Sequence, residues 1–437
     1  MRVLLITCAS KTHLYSLVPL AWALRSAGHE VRVATGTDPN SLLPEDVTAT
    51  GLTSATMGEP INLGSIAESA EGESSGRAMD ADPWPHSQGR SSQADYPGQT
   101  PDEELGMLAW VLRGFSPESM LDELVDHCRS WRPDLVLWDY MMMYAGPLAA
   151  RSCGAAHARV LYGVDAPAQL VSASASLRGG EGLDPLRSSL REHMEGRGHA
   201  YADDTVFGHW SVSTMPPWTW HPSDRDYVSV RPIPFNGPST VPDWLRGPAE
   251  RRRVCLTLGL TAQEVHSGGA SLAEVFDAVS DIDAEIVATV REDDLAQVGS
   301  VPDNVRVAGF VPLSVLLPTC SAIIHHGGSG TVNSALEHSV PQLFVPSSFA
   351  NQRWWAPVSH ATGWTEQGAG AYVSDSRHLD AAELRASLSR VLDDPSYADN
   401  AERLRRESAR TPSPADVVPT LEKLTARFAD GPVDLEV

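Results

Sequence analysis

Residues 321–337 read Ser-Ala-Ile-Ile-His-His-Gly-Gly-Ser-Gly-Thr-Val-Asn-Ser-Ala-Leu-Glu. Ser321–His325 is a short apolar run of strand type, and it stops at His326. Gly327, Gly328 and Gly330 then open a tight loop, and a helix begins at Ser329 or Thr331. Glycines let backbone N–H groups approach a ligand, and a helix start adds unsatisfied donors and partial positive charge. A strand, a glycine loop and a helix in that order make an anion cradle at the carboxyl edge of a parallel sheet. His326 adds a donor for a phosphate oxygen. The same residues also suit a Gly-rich turn without a ligand, so the surroundings must decide.

The surroundings repeat the βα rhythm. Downstream comes Gln342–Pro346; upstream come Asn304–Val307, Glu285–Val290 and Arg253–Leu258, all apolar runs of strand length. Helices are expected at 380–392 and 396–410. Before Arg253, the stretch Pro232–Pro248 holds Pro232, Pro234, Pro238, Pro242 and Pro248 with the turn pair Asn236-Gly237, which reads as a linker. The first half starts with the strand run at 2–7. The polar turn Ser10–His13 follows, then Leu14, Leu17, Val18, Trp22 and Leu24 near helical spacing, a stop at Gly28, and a strand at 29–35. A helix near 119–131 leads into Asp134–Trp138, and one near 143–153 leads into His157–Leu161. Residues 68–104, with nine acidic side chains against two arginines, read as a loop or weak helices, and 166–225 is ambiguous. The fold class expected is α/β: two Rossmann-like domains facing each other across a cleft, at 1–231 and 251–437, joined by a Pro-rich linker at 232–250, with the last helix packing back on the first domain.

Composition narrows the function. The 437 residues carry 33 Lys and Arg against 56 Asp and Glu, a net charge of −23. So acidic a surface disfavours nucleic acid and anionic membrane as partners. No apolar stretch approaches the ~20 residues that span a bilayer, and the start, MRVLLITCASKTHL, lacks a signal-peptide pattern. Cys8, Cys128, Cys153, Cys255 and Cys320 are odd in number and without C-x-x-C spacing, which suits reduced thiols in the cytoplasm.

Two further residues carry chemistry. His13 lies in the loop after the first strand, at the sheet's carboxyl edge, where an imidazole suits a general base. Asp139 ends the strand DLVLW at the same edge, where a carboxylate can fix the imidazole's tautomer. Taken singly, His13 also fits a surface residue and Asp139 a helix cap. A nicotinamide oxidoreductase would place G-x-G-x-x-G after the first strand, but that turn, Thr7–His13, has no glycine. A Walker A motif is absent as well.

Together these features resemble the GT-B nucleotide-sugar glycosyltransferases, in the branch that attaches deoxysugars and aminosugars to antibiotic aglycones. The resemblance is carried by SKTHLYSLVPLAWALRSAGHEVRVAT, WRPDLVLWD, GAAHARVL, PFNGPSTVPDWL, RRRVCLTLG and VPDNVRVAGFVPLSVLLPTCSAIIHHGGSGT, with RVLDDP and SPADVVPTLEKL near the end. It implies that His13 deprotonates the acceptor and that Asp139 is its acidic partner. It implies that Phe310 and Val311 cradle the nucleotide base and that His326, Gly328, Ser329, Gly330 and Thr331 hold the diphosphate. Gly259 and Thr261 would lie near the phosphates, and Asn351 and Gln352 at the sugar hydroxyls. The first domain would bind the acceptor and the second the donor. The donor implied is a dTDP-sugar, a co-substrate; no cofactor and no metal are expected. The partners implied are a small hydrophobic aglycone, an auxiliary protein resembling a cytochrome P450, and a second copy of the chain.

Two departures stand out. Asn351 replaces the family's usual acid, and an amide offers hydrogen bonds but no charge. Residues 353–367 run about five longer than usual, with Trp354, Trp355 and Trp364. Trp138 and Met142 suit either an apolar acceptor pocket or core packing. The expected reaction is a single displacement that inverts the anomeric carbon; a nucleotide-sugar epimerase and a non-catalytic partner of another transferase are the alternatives.

Overall fold

The apolar run Arg2–Thr7 forms β1, and each strand after it runs parallel to its neighbours. The computed structural model describes residues 1–66, 100–216, 218–219, 227–257, 271–290, 295, 298, 300–346, 356–376 and 378–428. Among them the strands form two sheets. The first contains β1, β2 (Glu30–Thr35), β3 (Thr53–Thr56), β4 (Leu135–Asp139), β5 (Ala156–Leu161), β6 (Trp210–Ser213) and β7 (Tyr227–Ser229), in the order β3-β2-β1-β4-β5-β6-β7. The second contains β8 (Arg253–Thr257), β9 (Glu285–Thr289), β10 (Val305–Val307), β11 (Ala322–His325), β12 (Gln342–Phe344) and β13 (Gly370–Tyr372), in the order β10-β9-β8-β11-β12-β13. Strand order reverses between β1 and β4, and again between β8 and β11. In open α/β sheets the crevice for a ligand opens at such a reversal, outside the carboxyl ends of the strands.

The first sheet is buried on both faces, which explains its continuous apolar runs. Leu4, Ile6, Val136 and Trp138 face the helices Pro101–Gly114, Glu118–Trp131 and Gly146–Cys153. Val3, Leu5, Val33, Leu135 and Leu137 face the helix Lys11–Ser26 and the final helix Pro414–Phe428. Val417, Val418 and Leu421 of that final helix belong to the first domain's core, so the chain crosses back from the second domain. Phe428 stacks on His209 at 4.5 Å with planes only 5° apart. No helix among the described residues is long and apolar enough to cross a membrane.

Two segments are more ordered than their composition suggests. A helix already starts at Pro101, where Thr100 and Glu103 form a reciprocal cap, with Thr100 N donating to Glu103 Oε2 at 2.9 Å. Residues 67–99 lie outside the described part. Within 166–225 stand the helices Ala166–Leu177, Pro185–Gly196 and Asp204–Phe207, then β6. Asp165 and Asp184 cap the first two of these, each accepting a backbone N–H from inside its helix. Asp165 also pairs with Arg159, and both side chains are fully buried. Tyr227 donates to the same carboxylate at 2.6 Å.

The linker ties the domains together. Asn236 accepts from Ser314 N at 2.9 Å and donates to Ser334 Oγ at 3.2 Å, both in the second domain. Its neighbour Phe235 meets Tyr15 of the first domain edge-on at 5.2 Å. Trp218, from the segment between β6 and β7, meets Trp364 of the second domain at 5.5 Å.

Candidate active site

The turn after β1 is only residues 8–10, so His13, expected in that loop, stands instead in the first turn of the helix that follows. Ser10 precedes the helix Lys11–Ser26, whose first turn lifts His13 to the carboxyl edge of the sheet. β4, paired directly with β1, ends at Asp139 on that same edge. His13 Nδ1 lies 2.6 Å from Asp139 Oδ2. Asp139 is fully buried, while the His13 side chain keeps 20% of its surface exposed. Met141 N donates to the other carboxylate oxygen at 2.9 Å, and Thr7 Oγ1 to the first at 3.3 Å. Burial pushes the Asp139 carboxyl up, but the His13 charge and hydrogen bond outweigh it, with help from Tyr162 and Met141. The carboxyl therefore stays below its ordinary range and ionised.

Tyr162 was not foreseen from the sequence. It follows the last residue of β5, so it shares the edge with Asp139. Its hydroxyl contacts His13 Nδ1, and the two rings meet edge-on at 5.1 Å. Burial raises its phenol well above the ordinary value, with the Asp139 and Cys8 charges adding to the effect. Tyr162 therefore stays protonated beside the carboxylate. The signal available was a hydroxyl-bearing aromatic one step past a strand end at a ligand edge.

The glycine loop stands at the second sheet's reversal. β11 ends at His325, and the helix Ser329–Glu337 starts with Gly328 as its cap residue and no side chain capping it. Its first N–H groups therefore face the loop rather than a protein acceptor side chain. Gly327 has φ +92, and a Cβ there would come within 2.9 Å of Pro357. A Cβ on Gly328 would meet His326 Nε2 at 2.6 Å, so the imidazole lies directly over that glycine. Burial holds His325, His326 and His360 below the ordinary imidazole range. The cradle is therefore lined by neutral rings, and the helix start is its source of positive potential. The helix Lys11–Ser26, which carries His13, comes against the helix Ser329–Glu337 across the cleft.

The remaining sequence-derived residues divide. Phe310 is 57% exposed, whereas Val311 is buried in the second domain's core. Thr331 is buried at the start of its helix, and Gly330 is exposed. Trp138 and Met142 correct the expectation of an acceptor pocket: both are fully buried in the first core. The Trp138 ring fills the space that a side chain on Gly146 would take, and its Nε1 donates to His157 Nδ1 at 3.2 Å. Alternation along β4 explains this, since Trp138 points to the helix layer while Asp139 lies at the edge. Gly259, Thr261, Asn351 and Gln352 lie outside the described residues, as do 353–355.

A second acid–histidine cluster, His157, Asp204 and His209, gathers where β5 and β6 begin. Trp138 donates to His157 Nδ1, and His157 N donates to His209 Nδ1 at 3.2 Å. Both imidazoles therefore carry their proton on Nε2, facing Asp204, which also accepts from Arg151 at 2.5 Å. Those tautomers suit a packed hydrogen-bond cluster, not a metal centre.

Comparison with known proteins identifies the family. The family described as erythromycin biosynthesis protein CIII-like matches through its N-terminal domain at residues 22–259 and its C-terminal domain at 273–424. Aclacinomycin-T 2-deoxy-L-fucose transferase of Streptomyces galilaeus is 43% identical, over 98% of this chain and 96% of its own. The 3-alpha-mycarosylerythronolide B desosaminyl transferase of Saccharopolyspora erythraea is 38% identical, over 98% and 99%. The crystal structure of glycosyltransferase VinC in complex with dTDP superposes with a TM-score of 0.81 at 35% identity, covering 98% of this chain and all of that one. With two parallel-sheet domains and the family matched across both of them, the chain belongs to the erythromycin biosynthesis protein CIII-like family and is a GT-B glycosyltransferase.

Proposed function

We propose that this glycosyltransferase moves a deoxysugar or aminosugar from a dTDP-sugar to a hydroxyl of a hydrophobic polyketide aglycone, with His13 as general base. The observation that carries the reading is the 2.6 Å contact between His13 Nδ1 and Asp139 at the first sheet's reversal. Asp139 holds the proton on Nδ1, which leaves the Nε2 lone pair for the acceptor. The names of the relatives, deoxysugar transferases to polyketides, and the dTDP held by VinC support the substrate classes.

In the proposed step the acceptor oxygen forms a bond to the anomeric carbon as its proton passes to His13 Nε2. The bond from that carbon to the diphosphate breaks, and its electron pair leaves with dTDP. One displacement inverts the anomeric centre. His326, Gly328, Ser329, Gly330 and Thr331 receive the diphosphate, where the helix start stabilises the accumulating charge. Phe310 offers an exposed ring to the base, with Val311 anchoring that turn in the core. Gly259 and Thr261 near the phosphates, and Asn351 and Gln352 at the sugar, complete the donor side of the proposal. Cytoplasmic location, an auxiliary protein resembling a cytochrome P450, and self-association belong to the same reading.

Mass spectrometry of the full chain with a panel of dTDP-sugars and polyketide aglycones, with and without the auxiliary protein, tests it. A product heavier than the aglycone by one sugar residue is expected, and His13→Ala should form it far more slowly. Donor turnover without an acceptor would favour an epimerase, and no turnover under any combination would favour a non-catalytic partner.

A further inference from the structure

The helix Ala356–Glu366 falls in the stretch that is longer than usual for the family, and it packs directly behind the glycine loop. Pro357 and His360 stand three residues apart, on one helical face. Pro357 lies where a Cβ on Gly327 would sit, at 2.9 Å. One turn on, His360 Nε2 lies 3.1 Å from Ser329 Oγ, the first residue of the loop's helix. His360 is only 1% exposed, and its Nδ1 is buried with no hydrogen-bond partner among the described residues. An orphaned N–H is rarer than an orphaned lone pair, so the proton belongs on Nε2. Nε2–H then donates to Ser329 Oγ. A hydroxyl oxygen that accepts has its own proton left to give.

We propose that His360 is a positioning residue for the diphosphate, its Nε2–H orienting the Ser329 hydroxyl so that the hydroxyl proton points to a donor phosphate oxygen. This rests on the reading that residues 326–331 take the diphosphate. Sequence pattern alone hides the role, because His360 lies thirty-one positions from Ser329 and sits on a helix of mixed composition. Trp364 lies one turn further along and meets the His360 ring edge-on at 6.1 Å. The imidazole is thus held from both sides, by the indole and by the serine.

The test is calorimetric titration of the full-length protein with dTDP and, separately, with thymidine, which lacks phosphate. His360→Ala should weaken dTDP about three- to tenfold, the worth of one oriented hydrogen bond, and leave thymidine unchanged. A Gln side chain presents its N–H near the position of Nε2, and Asn presents it near Nδ1. His360→Gln should therefore restore most of the dTDP affinity and His360→Asn should not. Ser329→Ala should weaken dTDP as much as His360→Ala, and the double variant should be no weaker than Ser329→Ala. Equal affinities in the Gln and Asn variants, or parallel losses of dTDP and thymidine, would overturn the inference. Loss in Ser329→Ala beside wild-type affinity in His360→Ala would overturn it alone. Wild-type affinity in Ser329→Ala would overturn the inference while leaving the loop's backbone N–H groups as the diphosphate site, and dTDP binding no tighter than thymidine in the unaltered protein would overturn the loop reading itself.

Discussion

Gly237 of the linker lies against the phenol of Tyr15, so closely that a Cβ on Gly237 would come within 2.8 Å of the Tyr15 hydroxyl oxygen. Tyr15 is two residues from His13 on the same helix, while Asn236 beside Gly237 is bonded to Ser314 and Ser334 of the second domain. The linker is therefore a spacer between the base and the donor domain. Gly237 also has φ +83, a region costly to other residues. Gly237→Ala is expected to lose roughly 1–3 kcal/mol of stability and to lower turnover. Dissociation of dTDP, measured by calorimetry, should stay near wild type because the loop is untouched. Adding Tyr15→Phe should remove the nearest contact, leaving the ring carbons at 3.0 and 3.1 Å, and restore part of the turnover. Unchanged turnover in Gly237→Ala would show that the spacing has no bearing on catalysis.

At the base, three variants should fall in a fixed order. His13→Ala should lower kcat by ~10²–10⁴ while keeping dTDP affinity. Asp139→Asn should approach the same loss, since an amide N–H aimed at Nδ1 moves the imidazole proton to Nε2 and blocks the lone pair. Tyr162→Phe removes one hydroxyl from beside the His13–Asp139 pair but leaves that pair standing, so its loss should stay below about tenfold. Single-turnover assays with circular dichroism on each variant measure the order. A Tyr162→Phe loss as large as that of His13→Ala would reassign the proton acceptor.

The loop's potential comes from a helix start with no capping side chain, in a ring of neutral imidazoles. Fixed backbone donors of that kind can hold a diphosphate without a cation. Titration with dTDP in EDTA should match titration in magnesium within about twofold, given that anion sites at helix starts are built from N–H groups. Binding that vanishes with the chelator and returns with magnesium would contradict this.

Much of this architecture was readable because buried parallel strands leave continuous apolar runs. β1, β4, β8, β9, β11 and β12 announce themselves this way, while β2 and β5 keep the valines and alanines of such a run around Arg32 and Arg159. The strands β3 (TSAT), β6 (WSVS), β7 (YVS) and β13 (GAY) do not, because serine, threonine, glycine and alanine together fill most of their positions. Asp165 with Pro167, and Asp184 with Pro185, are helix-start signals that the polar composition around them obscures. The pairing of His13 with Asp139 follows from two strand ends sharing one edge, which a sequence can show. Contacts made by chain crossing cannot be read that way: Tyr162 beside His13, His360 behind Ser329, and Trp218 against Trp364 join positions that no periodicity relates.

Acid should destabilise the protein well before its carboxylates protonate. His157, His326 and His360 are each pushed down to about 4, burial being the leading cause in all three. In the unfolded chain an imidazole titrates near ~6.5. Between that value and about 4 the unfolded state therefore binds protons that the folded state refuses. Stability must rise with pH across this window, so it is complete above ~6.5 and is lost as pH falls toward about 4. Asp139 has the same sign in a lower window, because its depressed carboxyl gives up its contribution only below the ordinary carboxylate range. Thermal unfolding measured through the imidazole window should show a falling midpoint, by several degrees. Replacing one of these rings with a group that does not titrate, as in His326→Asn, should make the fall shallower even if the midpoint at neutral pH is lower. His157 anchors the first domain and His326 and His360 the second, so both halves should weaken together rather than one melting ahead. A midpoint that stays level through the window would mean that the three buried imidazoles accept protons in place.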